Sequence, residues 1–205
     1  MTTDQTTSWD FREPRKGLKG EFDKFFGPDT NKKELTLILV TALAGGVLAV
    51  ILPTLTGVEW WNIFQYIVVL VLSLDVLGGV VTNVSNSAKR WYHRPGQPTR
   101  NFYKFILPHL HPVLLGMLFL PLEDGLLYGF GAYFFLILSA TIILQVPVYY
   151  QRMTAFVLYT VSIYLTMYLF PVIPALEWFL PVFYLKLLLG HLVREEPYVI
   201  KPASR

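Results

Sequence analysis

The sequence predicts an all-α, polytopic membrane protein: a bundle of about six transmembrane helices with both termini in the cytoplasm. Three observations predict it. Hydrophobic residues make up 54% of the 205 and fall in long uninterrupted blocks. Only 15% of residues are charged, against roughly 25% in a soluble domain. Six of the apolar blocks reach the ~20 residues that a bilayer-spanning helix needs, and Lys and Arg lie on one side of them. The same composition excludes a disordered chain, which needs low hydrophobicity and high net charge. The absence of cysteine excludes disulfides, thiolate-ligated metal and thiol catalysis. Most of the basic residues occupy two short segments, so no nucleic-acid-binding face is expected.

The elements follow in order. Residues 1–34 form a cytoplasmic segment holding fourteen charged residues, too polar for a signal peptide. Within it Leu18, Phe22 and Phe25 share one face, flanked by Lys16, Lys19 and Lys24. That stripe fits a short interfacial helix on an anionic leaflet, or a helix packed on the protein's own loops. Asn31 and Glu34 have the spacing of a capping box that starts the first span. The transmembrane domain covers residues 35–193, with spans near 35–55, 60–82, 105–122, 126–148, 153–170 and 175–193, and a cytoplasmic tail at 194–205. Seven Lys and Arg precede the first span, five lie between the second and third, and Arg152, Arg194, Lys201 and Arg205 follow at later turns on the same side. The opposite connections carry Glu59, Glu123, Asp124 and Glu177. The positive-inside rule places a multi-pass protein of the cytoplasmic or plasma membrane in this orientation. Gly45-Gly46, Gly78-Gly79 and the Gly125–Gly129 spacing supply small residues where helices can approach closely.

Ionisable residues within the bilayer are costly and therefore candidates for function. Asp75 and Lys186 each lie seven residues from the cytoplasmic end of a span, which is ~10 Å of depth at 1.5 Å per residue. Equal depth and opposite charge predict an ion pair or a shared site across the bundle. Along one helix, Asp75, Gly78, Gly79, Thr82, Asn83 and Asn86 fall on a common face by their three- and four-residue spacings. Asp75, Asn83, Asn86 and Lys186 are the candidate ion or ligand site.

Pro108-His109-Leu110-His111-Pro112 opens the third span. On a regular helix two residues at i and i+2 point ~200° apart. The prolines predict a distorted or extended segment, where both imidazoles can face the same way. With His93 in the connecting loop and His191 closing the sixth span, all four histidines fall on the cytoplasmic half. His93, His109, His111 and His191 are the candidate ligands for a transition metal ion, the one cofactor the residues suggest. Arg90, Arg94 and Arg100 are the candidate contacts for an anionic head group.

No HExxH, P-loop, GxSxG or GxGxxG pattern occurs. Four histidines fall short of the histidine boxes of membrane desaturases. The Lys89 to Arg94-Pro95 spacing departs from the motif of six-span lipid phosphatases. Three readings follow. The foremost is a polar site opening to the cytoplasmic side that binds or translocates a small ion or polar or anionic ligand. The others are a membrane-embedded metal-dependent enzyme acting on a lipid or other hydrophobic substrate, and an accessory or assembly subunit of a membrane complex. The partners expected are the lipid bilayer and other membrane subunits or further copies of the chain, with no nucleic acid.

Overall fold

The computed structural model describes residues 5–200, so Lys201, Arg205 and the rest of the expected tail beyond Ile200 lie outside the described residues. Among the described residues the regular structure is helical apart from one antiparallel ribbon that pairs β1 (Gln5–Thr7) with β2 (Tyr198–Ile200). The helices are α1 (Leu18–Phe26), α2 (Lys32–Leu55), α3 (Ile63–Val84), α4 (Asn86–Tyr92), α5 (Thr99–Ile106) and α6 (His111–Phe119). They continue with α7 (Leu122–Gln145), α8 (Val148–Tyr168) and α9 (Phe179–His191). Among the described residues four stretches are long and apolar enough to cross a membrane: α2, α3, the α5–α6 run Thr99–Phe119, and α7.

Capping sets where the first two long helices begin. The Asn31 side chain accepts from the Lys33 and Glu34 amides, while Glu34 reaches back to the Asn31 amide. Asn62 and Gln65 repeat this reciprocal arrangement at the start of α3. Each pair satisfies donors that a helix start otherwise leaves open. Glycines then bring helices together. A Cβ on Gly78 would lie 2.9 Å from the Ala42 Cβ of α2, and one on Gly125 would lie 2.6 Å from the Gly116 carbonyl of α6. Such backbone approach is what small residues permit between apolar helices.

Two expected elements differ, and the third block breaks where its prolines predict. The third apolar block is broken: α5 ends at Ile106, residues 107–110 form a turn and a short irregular stretch, and α6 starts at His111. Leu107 keeps helical backbone, and Pro108 after it has no amide to continue the helix. The sixth block is shorter than 175–193. Ala175 takes a positive φ of 69° after Pro174, and α9 starts only at Phe179. Its 6 α-helical and 7 π-helical residues rise ~20 Å at most. Finally, α3 stops at Val84. Ser85 is extended, and its hydroxyl accepts from the Ala88 amide to cap α4, the local competition that serine offers a helix interior. Asn86 therefore belongs to α4 and leaves the face that Asp75 and Asn83 share.

The bundle is built around α9. Phe179, Leu180, Phe183, Tyr184, Leu187 and Leu188 are each no more than 1% exposed, the all-round burial expected of an apolar helix at a core. Its neighbours are α3, α7 and α8. The outer helices reverse this pattern: Leu37, Leu43, Val47, Leu48 and Leu55 of α2 are 56–71% exposed. A soluble monomer rarely shows contiguous apolar patches beyond a few hundred Å², so this outward surface matches hydrocarbon.

At the ribbon end a polar cap covers the bundle. The Arg15 guanidinium holds the buried Asp23 carboxylate in two hydrogen bonds of 2.8 and 2.6 Å. That pairing keeps Asp23 at a pKa of about 2, chiefly through the Arg15 side-chain bond. Ser87 donates to Glu34 at 2.7 Å, and the Tyr92 hydroxyl to the Phe25 carbonyl at 3.2 Å. Helix α1 thus docks on α4 through its polar side, with Leu18, Phe22 and Phe25 left exposed.

Candidate functional site

The residues of the site come from three elements that meet halfway along the bundle. Helix α3 supplies Asp75, the start of α6 supplies His111, and the wide π-helical turn of α9 supplies Lys186. π-bulges recur at functional sites because the extra residue re-aims side chains. The Lys186 ammonium donates to Asp75 Oδ2 at 2.6 Å. His111 Nδ1 stands 3.8 Å from the same oxygen and is buried without a hydrogen-bond partner among the described residues.

Burial across the pair is unequal. The Lys186 side chain is 2% exposed and that of Asp75 35%. The ammonium is thus sealed inside the bundle, while the Asp75 side chain that holds it stays partly exposed. Gly79, one turn from Asp75, gives the Lys186 stem its space, since a Cβ there would fall on that side chain. Asn83 donates to the Lys186 carbonyl at 3.2 Å, fixing the backbone that carries the lysine. Thr82 turns its hydroxyl back to the Gly78 carbonyl at 2.9 Å, so it serves its own helix.

Among the sequence-derived candidates, Asp75, Lys186, Asn83 and His111 come together. The histidines divide otherwise. The His109 and His111 rings lie 5.3 Å apart, as the broken helix predicts. His109 Nδ1 is already engaged with the Phe105 carbonyl at 2.7 Å. His93 Nε2 engages the His191 carbonyl at 2.8 Å. Burial first, and the neighbouring Lys89 charge second, pushes the His93 pKa down to about 3, so this imidazole is neutral. His191 is enclosed by aromatic rings, stacked on Phe105 at 3.8 Å, and neither of its nitrogens has a hydrogen-bond partner among the described residues. Among the described residues no three His, Cys, Asp or Glu side chains form a group that could hold a metal ion. The expected four-histidine metal site does not assemble among the described residues: His93 faces the His191 carbonyl, His191 is walled in by rings, and His111 turns to Asp75.

The expected head-group contacts also separate. Arg90 is buried at 7% exposure. Arg94 lies 3.9 Å over the Trp91 ring and donates to the Trp91 carbonyl. Arg100 sits on the exposed start of α5. The cations that do converge are Lys89, Arg152 and Arg194, which line a cavity of about 550 Å³ at the ribbon end. Sequence distance concealed this group, because Arg152 near the start of α8 and Arg194 after α9 are separated by an entire helical hairpin. Burial lowers the Lys89 pKa to about 8 against the opposing pull of Glu195.

No family model, no curated protein and no solved structure matches the chain.

Proposed function

We propose that this is an integral membrane protein whose Asp75, Lys186 and His111 bind a small ion or polar ligand within the bilayer. The observation that carries this reading is the buried Lys186 ammonium held 2.6 Å from a carboxylate that remains 35% exposed, with the unpartnered His111 Nδ1 beside it. A purely structural ion pair gains most when both partners are enclosed and fully hydrogen-bonded. Here the Asp75 side chain stays partly open and the buried His111 Nδ1 beside it lacks a hydrogen-bond partner among the described residues, the arrangement of a site that completes its hydrogen bonds with a ligand. Our reading keeps six crossings with both ends on one side: the four helices long and apolar enough to cross, together with α8 and the shorter, enclosed α9. The β1–β2 pairing supports an even number, since it joins the two chain ends. The positive-inside rule assigns that side to the cytoplasm.

The test uses the purified full chain in detergent, screened by thermal shift against small inorganic cations and anions and against protons. At least one ion is expected to raise the melting temperature of the wild type and to leave a His111→Ala variant unmoved. The same ion should cross the wall of proteoliposomes holding the wild type, and fail to cross with Asp75→Asn. A wild type that neither responds to any of these ions nor passes them overturns the reading. Reporter fusions placed before α2, between α3 and α5, and after α9 check the topology, all expected on the cytoplasmic side.

A further inference from the structure

A second polar site lies at the ribbon end, away from Asp75, and no step of the proposed function uses it. Its cavity of about 550 Å³ is bounded by Lys89 and Asn86 of α4, by Tyr149 and Arg152 of α8, and by Arg194 after α9. Glu195 and Glu196 complete the lining. The volume falls within the ~300–1,000 Å³ range of small-ligand sites.

Four features give this cavity its chemistry. Lys89 is 3% exposed, and its ammonium is fixed by the Val193 carbonyl at 2.6 Å. Its carboxylate neighbour, Glu195 Oε2, stands at 3.5 Å on a side chain that is 45% exposed. The buried cation is therefore held in place while its counter-charge can be displaced. The Arg194 guanidinium is positioned 4.7 Å over the Trp9 ring, and its amide donates to Gln151 at 3.4 Å. Arg152 makes no ion pair among the described residues, so its guanidinium is available to a ligand. Finally, α8 starts at this cavity with Pro147 at its N-cap and no side chain capping it. The start of this 21-residue helix thus adds the positive end of a dipole.

Charge selects the ligand. Three cations face two carboxylates, leaving one surplus positive charge, which suits a singly charged phosphodiester better than a doubly charged monoester. Two guanidinium groups supply the planar donor pairs that phosphate oxygens accept. The rim is apolar and outward-facing: Val84 and Val148 are each 52% exposed and Tyr149 81%. This places a head-group site beside acyl chains, with an aromatic side chain at the depth where interfacial tyrosines concentrate. We propose that the Lys89–Arg152–Arg194 cavity binds a phosphodiester, the chemistry shared by an anionic phospholipid head group and a soluble phosphodiester.

The experiment titrates the purified full chain in dodecyl maltoside micelles with three probes: dihexanoyl phosphatidylglycerol, its water-soluble head group glycerophosphoglycerol, and dihexanoyl phosphatidylcholine. Saturable binding of the first is expected, with no saturable binding of the zwitterionic third. Arg152→Gln should weaken it ~10-fold or more, the loss of one charge-assisted hydrogen bond, and Arg152→Lys should recover part of the affinity. Arg152 is exposed on the first turns of α8, so both variants are expected to keep the wild-type melting temperature. Glycerophosphoglycerol that fails to compete assigns the site to lipid; competition at equal affinity assigns it to a soluble phosphodiester. No saturable binding of either anionic probe overturns the proposal, as does binding that Arg152→Gln and Arg194→Gln together leave unchanged. His111→Ala should not alter it, so this result and the outcome at the Asp75 site are read separately.

Discussion

Gly79 of α3 lies directly under the side chain of Lys186, leaving no space for a Cβ at that position. The glycine has an ordinary helical backbone, so its value is in the room it provides. Gly79→Ala ordinarily gains ~1 kcal/mol of helix propensity. Here it forces the buried stem aside and should cost ~1–3 kcal/mol instead, the range for overpacking a filled site. The melting temperature in detergent checks the sign: an alanine variant as stable as the wild type would show that the stem has room to move.

The unequal burial of Asp75 and Lys186 predicts unequal costs. Asp75→Asn leaves a sealed ammonium without its carboxylate and should destabilise by ~3–5 kcal/mol. Lys186→Met removes the charge that needs sealing, and the half-exposed carboxylate can take up a proton, so its cost should be smaller. The double variant should be better tolerated than Asp75→Asn alone, because shape-matched apolar replacement of a buried pair can be close to neutral. Midpoints of thermal or denaturant unfolding for the four proteins form the double-mutant cycle. Additive losses would dissolve the pair as an energetic unit.

His93 gives the fold a pH dependence. Its native pKa is about 3, below the ~6.5 of an exposed histidine, so the unfolded chain binds the extra proton between these values. Stability is therefore complete above ~6.5 and should fall by ~1.4 kcal/mol per pH unit below it. Melting temperatures at pH 7.5 and 5.5 should differ in the wild type and differ less in His93→Gln, which keeps a donor for the His191 carbonyl. Equal pH slopes for the two proteins would remove His93 as the cause.

Helix α1 presents its apolar stripe outward while Asp23 faces the protein, tethered by Arg15. The chain has no cysteine, so Leu18→Cys gives a single attachment point for a spin label. In anionic bilayers that label should be relaxed more by membrane-soluble oxygen than by an aqueous nickel chelate. The reverse ranking would place α1 in water. Asp23→Asn should loosen the segment before α1 from the helix and broaden the label's mobility, because the carboxylate that accepts the two Arg15 guanidinium bonds is gone.

Much of the fold was legible in the sequence because the responsible forces are local. Hydrophobic length marked α2, α3 and α7, and the Asn31–Glu34 spacing marked the start of α2. The two prolines around His109 and His111 marked the broken helix between α5 and α6. Asp75 and Lys186 were paired from depth and charge alone, which works because a bilayer converts residue count into position. Asn86 was misplaced for an equally local reason: a single serine hydroxyl turned the chain one residue earlier.

Hydropathy and charge order, then, determined by themselves that the chain is helical, where its long apolar helices run, and that Asp75 and Lys186 stand at one depth. Only the tertiary structure decided which side chains share a surface. It enclosed Lys186 and left Asp75 half open, because α9 packs at the centre of the bundle and α3 at its side. It split the four histidines between backbone carbonyls, a ring stack and the Asp75 site, and it drew Lys89, Arg152 and Arg194 around one cavity. The physical reason is that spacing along a helix fixes a residue's height and face, whereas its neighbour across the bundle depends on how helices distant in sequence rotate and pack.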